Sequence, residues 1–198
     1  MAIKALTEAM AATSTGDPLR AAYVAMMLGQ RVSDVLRLKR ENVFIQHVAK
    51  HTDTQQSVHT VVLKFVETNT SLKCGHFTLA IPYGTHVATL LIEDRSCSTE
   101  EYLYISNRVE VLKAEAEIHK KLLEILGFKV DLRAMRRTGL SRLASSGAEL
   151  STVLQISRHR TLDMLERYLS GGCYHGAVHR QQSMASTNAW IHELPERS

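Results

Sequence analysis

The sequence is poor in the residues that staple or stiffen a chain. Its three cysteines, Cys74, Cys97 and Cys173, stand far apart and form no CxxC pair. That odd, scattered set excludes a disulfide framework and predicts a reducing, intracellular setting. Only three prolines occur (Pro18, Pro82 and Pro195), and no low-complexity tract, long linker or internal repeat is present. The longest strongly apolar run, Ala21 to Leu28, is far short of the ~20 residues that span a bilayer. No membrane crossing is expected. The opening MAIKALTEAM lacks the basic, apolar, small-residue layout of a secretory signal. The sequence has no GxGxxG, no GxxxxGK[ST], no GxSxG and no HExxH. His47/His51 and His175/His179 have the i, i+4 spacing of ligand pairs, but no acid or cysteine stands at a matching spacing. Clustered carboxylates, which a metal-dependent nuclease needs, are also missing. No metal and no cofactor is expected.

What remains has the balance of a folded domain: 198 residues, 44% hydrophobic and 22% charged. The net charge of +4 is unevenly placed. Residues 129 to 167 hold eight basic and four acidic residues, which accounts for the entire excess. Seven of the eight basic residues are arginine (Arg133, Arg136, Arg137, Arg142, Arg158, Arg160 and Arg167). Arginine suits planar, bidentate contact with phosphate, so a polyanion is a candidate partner.

Periodicity divides the chain into helices, a short β region and helices again. Asp17 reads as an N-cap with Pro18 at the first helical position, opening a helix from about Pro18 to Gly29. Val32 to Leu38 continues as a short helix with Val32, Val35, Leu36 and Leu38 inward. Strands are expected at Asn42 to Ile45, Val58 to Glu67 and Phe77 to Ile81, with a turn from Asn69 to Gly75. Helices follow at His86 to about Asp94, Glu110 to Leu126, Leu132 to Ser146, Leu150 to Ser157 and Leu162 to Leu169. Gly127 and Gly147 serve as stops. Tyr102 to Ile105 reads as a short extended piece, and Ala177 to Ile191 as a helical tail. The fold class is mostly α with a small three-stranded antiparallel sheet.

One constellation carries chemistry. Arg133 and Arg136 share a helix face at i, i+3. Gly147 follows Arg136 by eleven residues, His159 follows Gly147 by twelve, and Tyr168 follows His159 by nine. This spacing resembles the C-terminal half of the tyrosine recombinase (phage integrase-like) catalytic domain, with its HxxR, glycine, turn histidine and tyrosine nucleophile. Upstream, Leu28 to Leu38 (LGQRVSDVLRL) resembles that family's first arginine box, with Arg31 and Asp34 in the places of the arginine and its acid. The family also has a three-stranded sheet between the two boxes. The resemblance covers residues 15 to 175, with residues 1 to 14 as an N-terminal helical remnant or linker and 176 to 198 as a C-terminal helical tail. Two positions depart from the family pattern. Arg133 replaces its usual histidine, and Arg158 replaces the glycine before the turn histidine.

The resemblance implies site-specific DNA cleavage and rejoining through a 3′-phosphotyrosyl intermediate, without metal or ATP. It implies Tyr168 as nucleophile, Arg31 and Arg136 as the two phosphate clamps, His159 as a hydrogen-bonding partner and Asp34 as support for Arg31. Arg133, catalytic by its place, can donate to a phosphate oxygen but cannot serve as a neutral base. Lys73, in the turn before the third strand, is implied as general acid, with Lys64 as the alternative. Arg137, Arg158 and Arg160 are expected to contact DNA. The implied partners are double-stranded DNA and further copies of the chain in a synaptic tetramer, with no membrane. The implied location is intracellular with the DNA, in nucleus or nucleoid. A non-catalytic helical DNA-binding protein and a type IB topoisomerase-like enzyme remain alternatives.

Overall fold

The computed structural model describes residues 13–48, 58–66 and 76–170, together with positions 4, 6, 8 and 9, which are helical. Helix α1 (Pro18–Met27) is buried on nearly every side, from Leu19 through Leu28. A helix that is apolar all round belongs at the centre of a fold, and α1 touches most of the other helices. Its start is as expected: Asp17 accepts a hydrogen bond from the Leu19 amide at 2.8 Å, with Pro18 behind it. Helix α2 (Val32–Leu36) follows, and Val32, Val35, Leu36 and Leu38 all point into the core.

Strands β1 (Val43–Val48), β2 (Val58–Phe65) and β3 (Phe77–Pro82) form an antiparallel sheet in sequence order. The register pairs Val43 with Leu63 and Leu63 with Leu79. Val61, Leu63, Phe65 and Ile81 are buried against the helices, whereas Lys64 is exposed. Strand β1 runs to Val48, beyond the expected Ile45. Its outer half, Gln46 and His47, is exposed and so lacks the apolar alternation that marks a strand. The expected turn at 69–75 lies outside the described residues.

Helix α3 (His86–Cys97) packs on β1 and α1, and α4 (Val111–Leu126) ends at Gly127, which takes the left-handed conformation at φ 75°. Helices α5 (Leu132–Ser145), α6 (Leu150–Ser157) and α7 (Leu162–Ser170) complete the order. Tyr102 to Ile105 is not a strand. It makes a single bridge, Tyr102 to Lys39, and all four side chains are buried. A strand lying on one face of a core would bury only alternate residues. Beneath this segment Asp94, fully buried, receives the Tyr104 hydroxyl at 2.8 Å and the Gly16 amide at 3.1 Å, and pairs with Arg20 at 3.0 Å. Burial raises the Asp94 carboxyl above its ordinary range, against the opposing pull of Arg20. No helix among the described residues is long and apolar enough to cross a membrane.

Candidate active site

The site depends on how closely α5 approaches the end of α1. A Cβ at Gly139 would lie 1.8 Å from the Met26 carbonyl oxygen, so only glycine permits this crossing. Gly29, at φ 63°, turns the chain out of α1 and would meet Leu140 if it carried a Cβ. Arg31 comes two residues later. Gln30, fully buried, donates from Nε2 to the carbonyls of Leu28 and Ile156, both at 3.0 Å. One side chain thus ties the loop that carries Arg31 to the end of α6.

Helix α5 opens with Asp131, whose Oδ1 accepts from the Arg133 amide at 2.9 Å. Arg133 is exposed and Arg136, nearly one turn on, is buried. The Arg136 guanidinium donates from Nη2 to the carbonyl oxygen of Ser157, the last residue of α6. The Ser157 hydroxyl lies 2.8 Å from His159 Nδ1 and itself donates to the Leu154 carbonyl at 3.1 Å. With the hydroxyl proton so committed, Nδ1 is the donor to Ser157, and the neutral ring carries its lone pair on Nε2. Burial, then the charges of Arg136 and Arg31, push the imidazole down to about 4. At neutral pH His159 is therefore uncharged and able to accept a proton or a hydrogen bond at Nε2.

Arg31, Arg133, Arg136 and His159 open onto one cleft of about 640 Å³, lined also by Val32, Ser33, Glu115, His119, Asp131 and Leu132. Three guanidiniums cannot release their protons at any ordinary pH. Facing one cavity beside a neutral imidazole, they suit a phosphate or another oxyanion. A second cavity of about 360 Å³, between Thr15–Gly16 and the 97–106 segment, is lined by none of the residues that spacing singles out.

Asp34 is fully buried below Arg31, its Oδ2 3.7 Å from Arg31 Nη1. The side chain of Arg158, expected to contact DNA, is turned inward. It donates to Asp34 Oδ2 at 2.5 Å and to Gln30 Oε1 at 3.5 Å, because a buried carboxylate needs a cation and the solvent does not. Arg137 is half-buried on α5, and Arg160 is exposed in the turn before α7. Tyr168 falls in the last turn of α7, whose Leu165 and Leu169 are buried in the core. Lys73 lies outside the described residues. The strands on either side of it end at Phe65 and start at Phe77, and Phe77 carries the Arg158 guanidinium on its ring. Lys64 is exposed on β2 with Nζ 5.1 Å over the Phe44 ring, and it does not line the cleft.

Spacing did not single out Glu115, His119 or Gly139. Glu115 and His119 are one turn apart on α4, where Ala114, Ile118 and Leu122 face inward. Their helix reads as a plain amphipathic one. Among the described residues no three His, Cys, Asp or Glu side chains are arranged to hold a metal ion. The chain matches no protein-family model and no curated protein.

Proposed function

We propose that residues 15 to 175 form a tyrosine recombinase catalytic domain, in fold and in chemistry, acting on double-stranded DNA. The observation that carries this reading is the convergence of Arg31, Arg133, Arg136 and His159 on one cleft from segments roughly a hundred residues apart. Those are four of the six catalytic side chains that the resemblance singles out, the others being Lys73 and Tyr168. The basic excess of residues 129 to 167 gives the same region its affinity for a polyanion.

In this reading a phosphodiester enters the cleft, and the guanidiniums neutralise its nonbridging oxygens as charge builds in the transition state. The Tyr168 oxygen attacks phosphorus and its proton is lost, while neutral His159 hydrogen-bonds beside the phosphate. The bond from phosphorus to the 5′-oxygen breaks, and Lys73 supplies the proton to that leaving oxygen. The products are a 3′-phosphotyrosyl bond and a free 5′-hydroxyl. Reversal with another 5′-hydroxyl rejoins the strand with no external energy source, and paired exchanges call for several copies of the chain on the DNA.

The test is a covalent adduct that survives detergent, formed on a nicked suicide duplex. The unaltered chain should form it. Tyr168→Phe should form none while binding duplex DNA within a few-fold of the unaltered chain. Arg136→Ala should weaken both binding and adduct. An adduct from Tyr168→Phe removes the nucleophile assignment. Binding without an adduct from the unaltered chain, across a library of duplex ends, leaves a passive DNA-binding protein.

A further inference from the structure

Arg158 is the single non-glycine residue among the described residues with a left-handed backbone, at φ 56° and ψ 32°. It caps α6 immediately before His159. Any side chain at such a position is disfavoured relative to glycine, and a non-glycine residue there is held by what its side chain does. Its side chain is only 9% exposed, and its head group is a guanidinium. The group lies 4.0 Å over the Phe77 ring, which is itself stacked on Phe65 at 4.4 Å. Nη2 takes Asp34 Oδ2 at 2.5 Å.

The same Asp34 oxygen faces Arg31, but at 3.7 Å, beyond hydrogen-bond length. Asp34 is completely buried, so its charge requires a close cation. Two guanidiniums are within reach of it. The one that holds it is Arg158, and the Arg31 side chain stays 40% exposed and lines the cleft. Without Arg158, Arg31 is the other cation that the described residues place within 4 Å of that carboxylate. Electrostatics would then draw Arg31 down onto Asp34 and away from the cavity.

We propose that Arg158 is a positioning residue: it neutralises Asp34 in place of Arg31, which holds Arg31 in the cleft, and it ties the His159 turn to the arginine loop. The proposal rests on the reading above only in taking phosphate as the ligand of the cleft.

The decisive experiment compares the unaltered chain with Arg158→Gly and with the double variant Asp34→Asn/Arg158→Gly. Glycine accepts the left-handed backbone, and the double variant leaves no buried charge unpaired. Two readouts are followed: binding of inorganic phosphate and the titration of His159 by NMR. The His159 signal is identified by its loss in His159→Asn. Glu115, His119, Asp131, Arg133 and Arg136 line the same cleft and are unchanged in every variant.

Arg158→Gly is expected to bind phosphate about tenfold more weakly, the effect of losing one well-placed charged contact. Its His159 should titrate above the value near 4, because the Arg31 charge has moved off. The double variant should recover both properties, since no carboxylate then competes for Arg31. A role confined to packing would give no such recovery. The proposal is overturned if Arg158→Gly changes neither readout, or if the folded double variant binds phosphate as weakly as Arg158→Gly. If Arg158→Gly does not fold, the double variant still decides, because it must fold, bind phosphate and keep His159 low. A His159 shift of the expected kind, with no adduct from the unaltered chain, supports the positioning role and overturns the recombinase reading instead.

Discussion

His159 titrates low because burial disfavours its charged form and because Arg136 and Arg31 stand beside it. The unfolded imidazole takes up a proton near its ordinary value of 6.5, while the folded one resists until about 4. Between those values the unfolded state binds more protons, so stability falls as pH drops through that window. Urea melts at about pH 7 and about pH 4.5 should show a larger loss for the unaltered chain than for His159→Asn. Equal losses would mean that the His159 environment is not the one described. Lys73→Ala should slow cleavage of an ordinary strand and be rescued by a 5′-bridging phosphorothiolate, whose leaving group needs no acid. Lys64→Ala should cleave normally, since its ammonium is over Phe44 on an exposed part of the sheet. Selective rescue of Lys64→Ala would transfer the role.

Helix α5 is held against α1 with no room for a methyl group at Gly139. Gly139→Ala must push the helices apart, and the expected cost is about 3 kcal/mol, the upper end for overpacking. Phosphate binding should fall with it, because Arg136 rides on the displaced helix. Gly127→Ala is the control. Its φ of 75° is strained for alanine, but nothing lies within 4 Å of the added carbon, so the cost should be about 1 kcal/mol. Chemical denaturation of both checks the claim, and a Gly139→Ala chain no weaker than Gly127→Ala would refute it. Much of this element layout is legible in the sequence. Asp17–Pro18 and Gly127 mark helix ends by local chemistry, and the strands show in their β-branched runs. Gly139 does not show, because a glycine inside a helical pattern reads as a weakness until the partner backbone is in place. Arg158 is similar: the sequence presents an arginine beside a turn, and its carboxylate partner is 124 residues away. Spacing along the chain singles out Arg31, Arg133, Arg136 and His159, and these four line one cleft. Glu115 and His119 are not, because i, i+4 pairs occur on every amphipathic helix.

Across the whole molecule, the cleft combines three arginines with two acids, Glu115 and Asp131. Removing one negative charge should help any anion. Glu115→Gln should bind duplex DNA about threefold more tightly, the size of an exposed charge pair, without a change in the slope of its salt dependence, because no cation has been added. Fluorescence anisotropy at several salt concentrations measures both, and weaker binding would place Glu115 in a supporting contact instead. The joining of distant segments at Gly139 and Gln30 also sets a timetable. Arg31 and Arg133 are separated by roughly a hundred residues, which a ribosome delivers in about 5 to 20 s. Through that interval the emerging chain carries Arg31 beside Asp34, with neither α5 to complete the cleft nor Arg158 to relieve the pair. The three-arginine cleft therefore closes late in synthesis, and a message broken before the α5 codons yields a product without it.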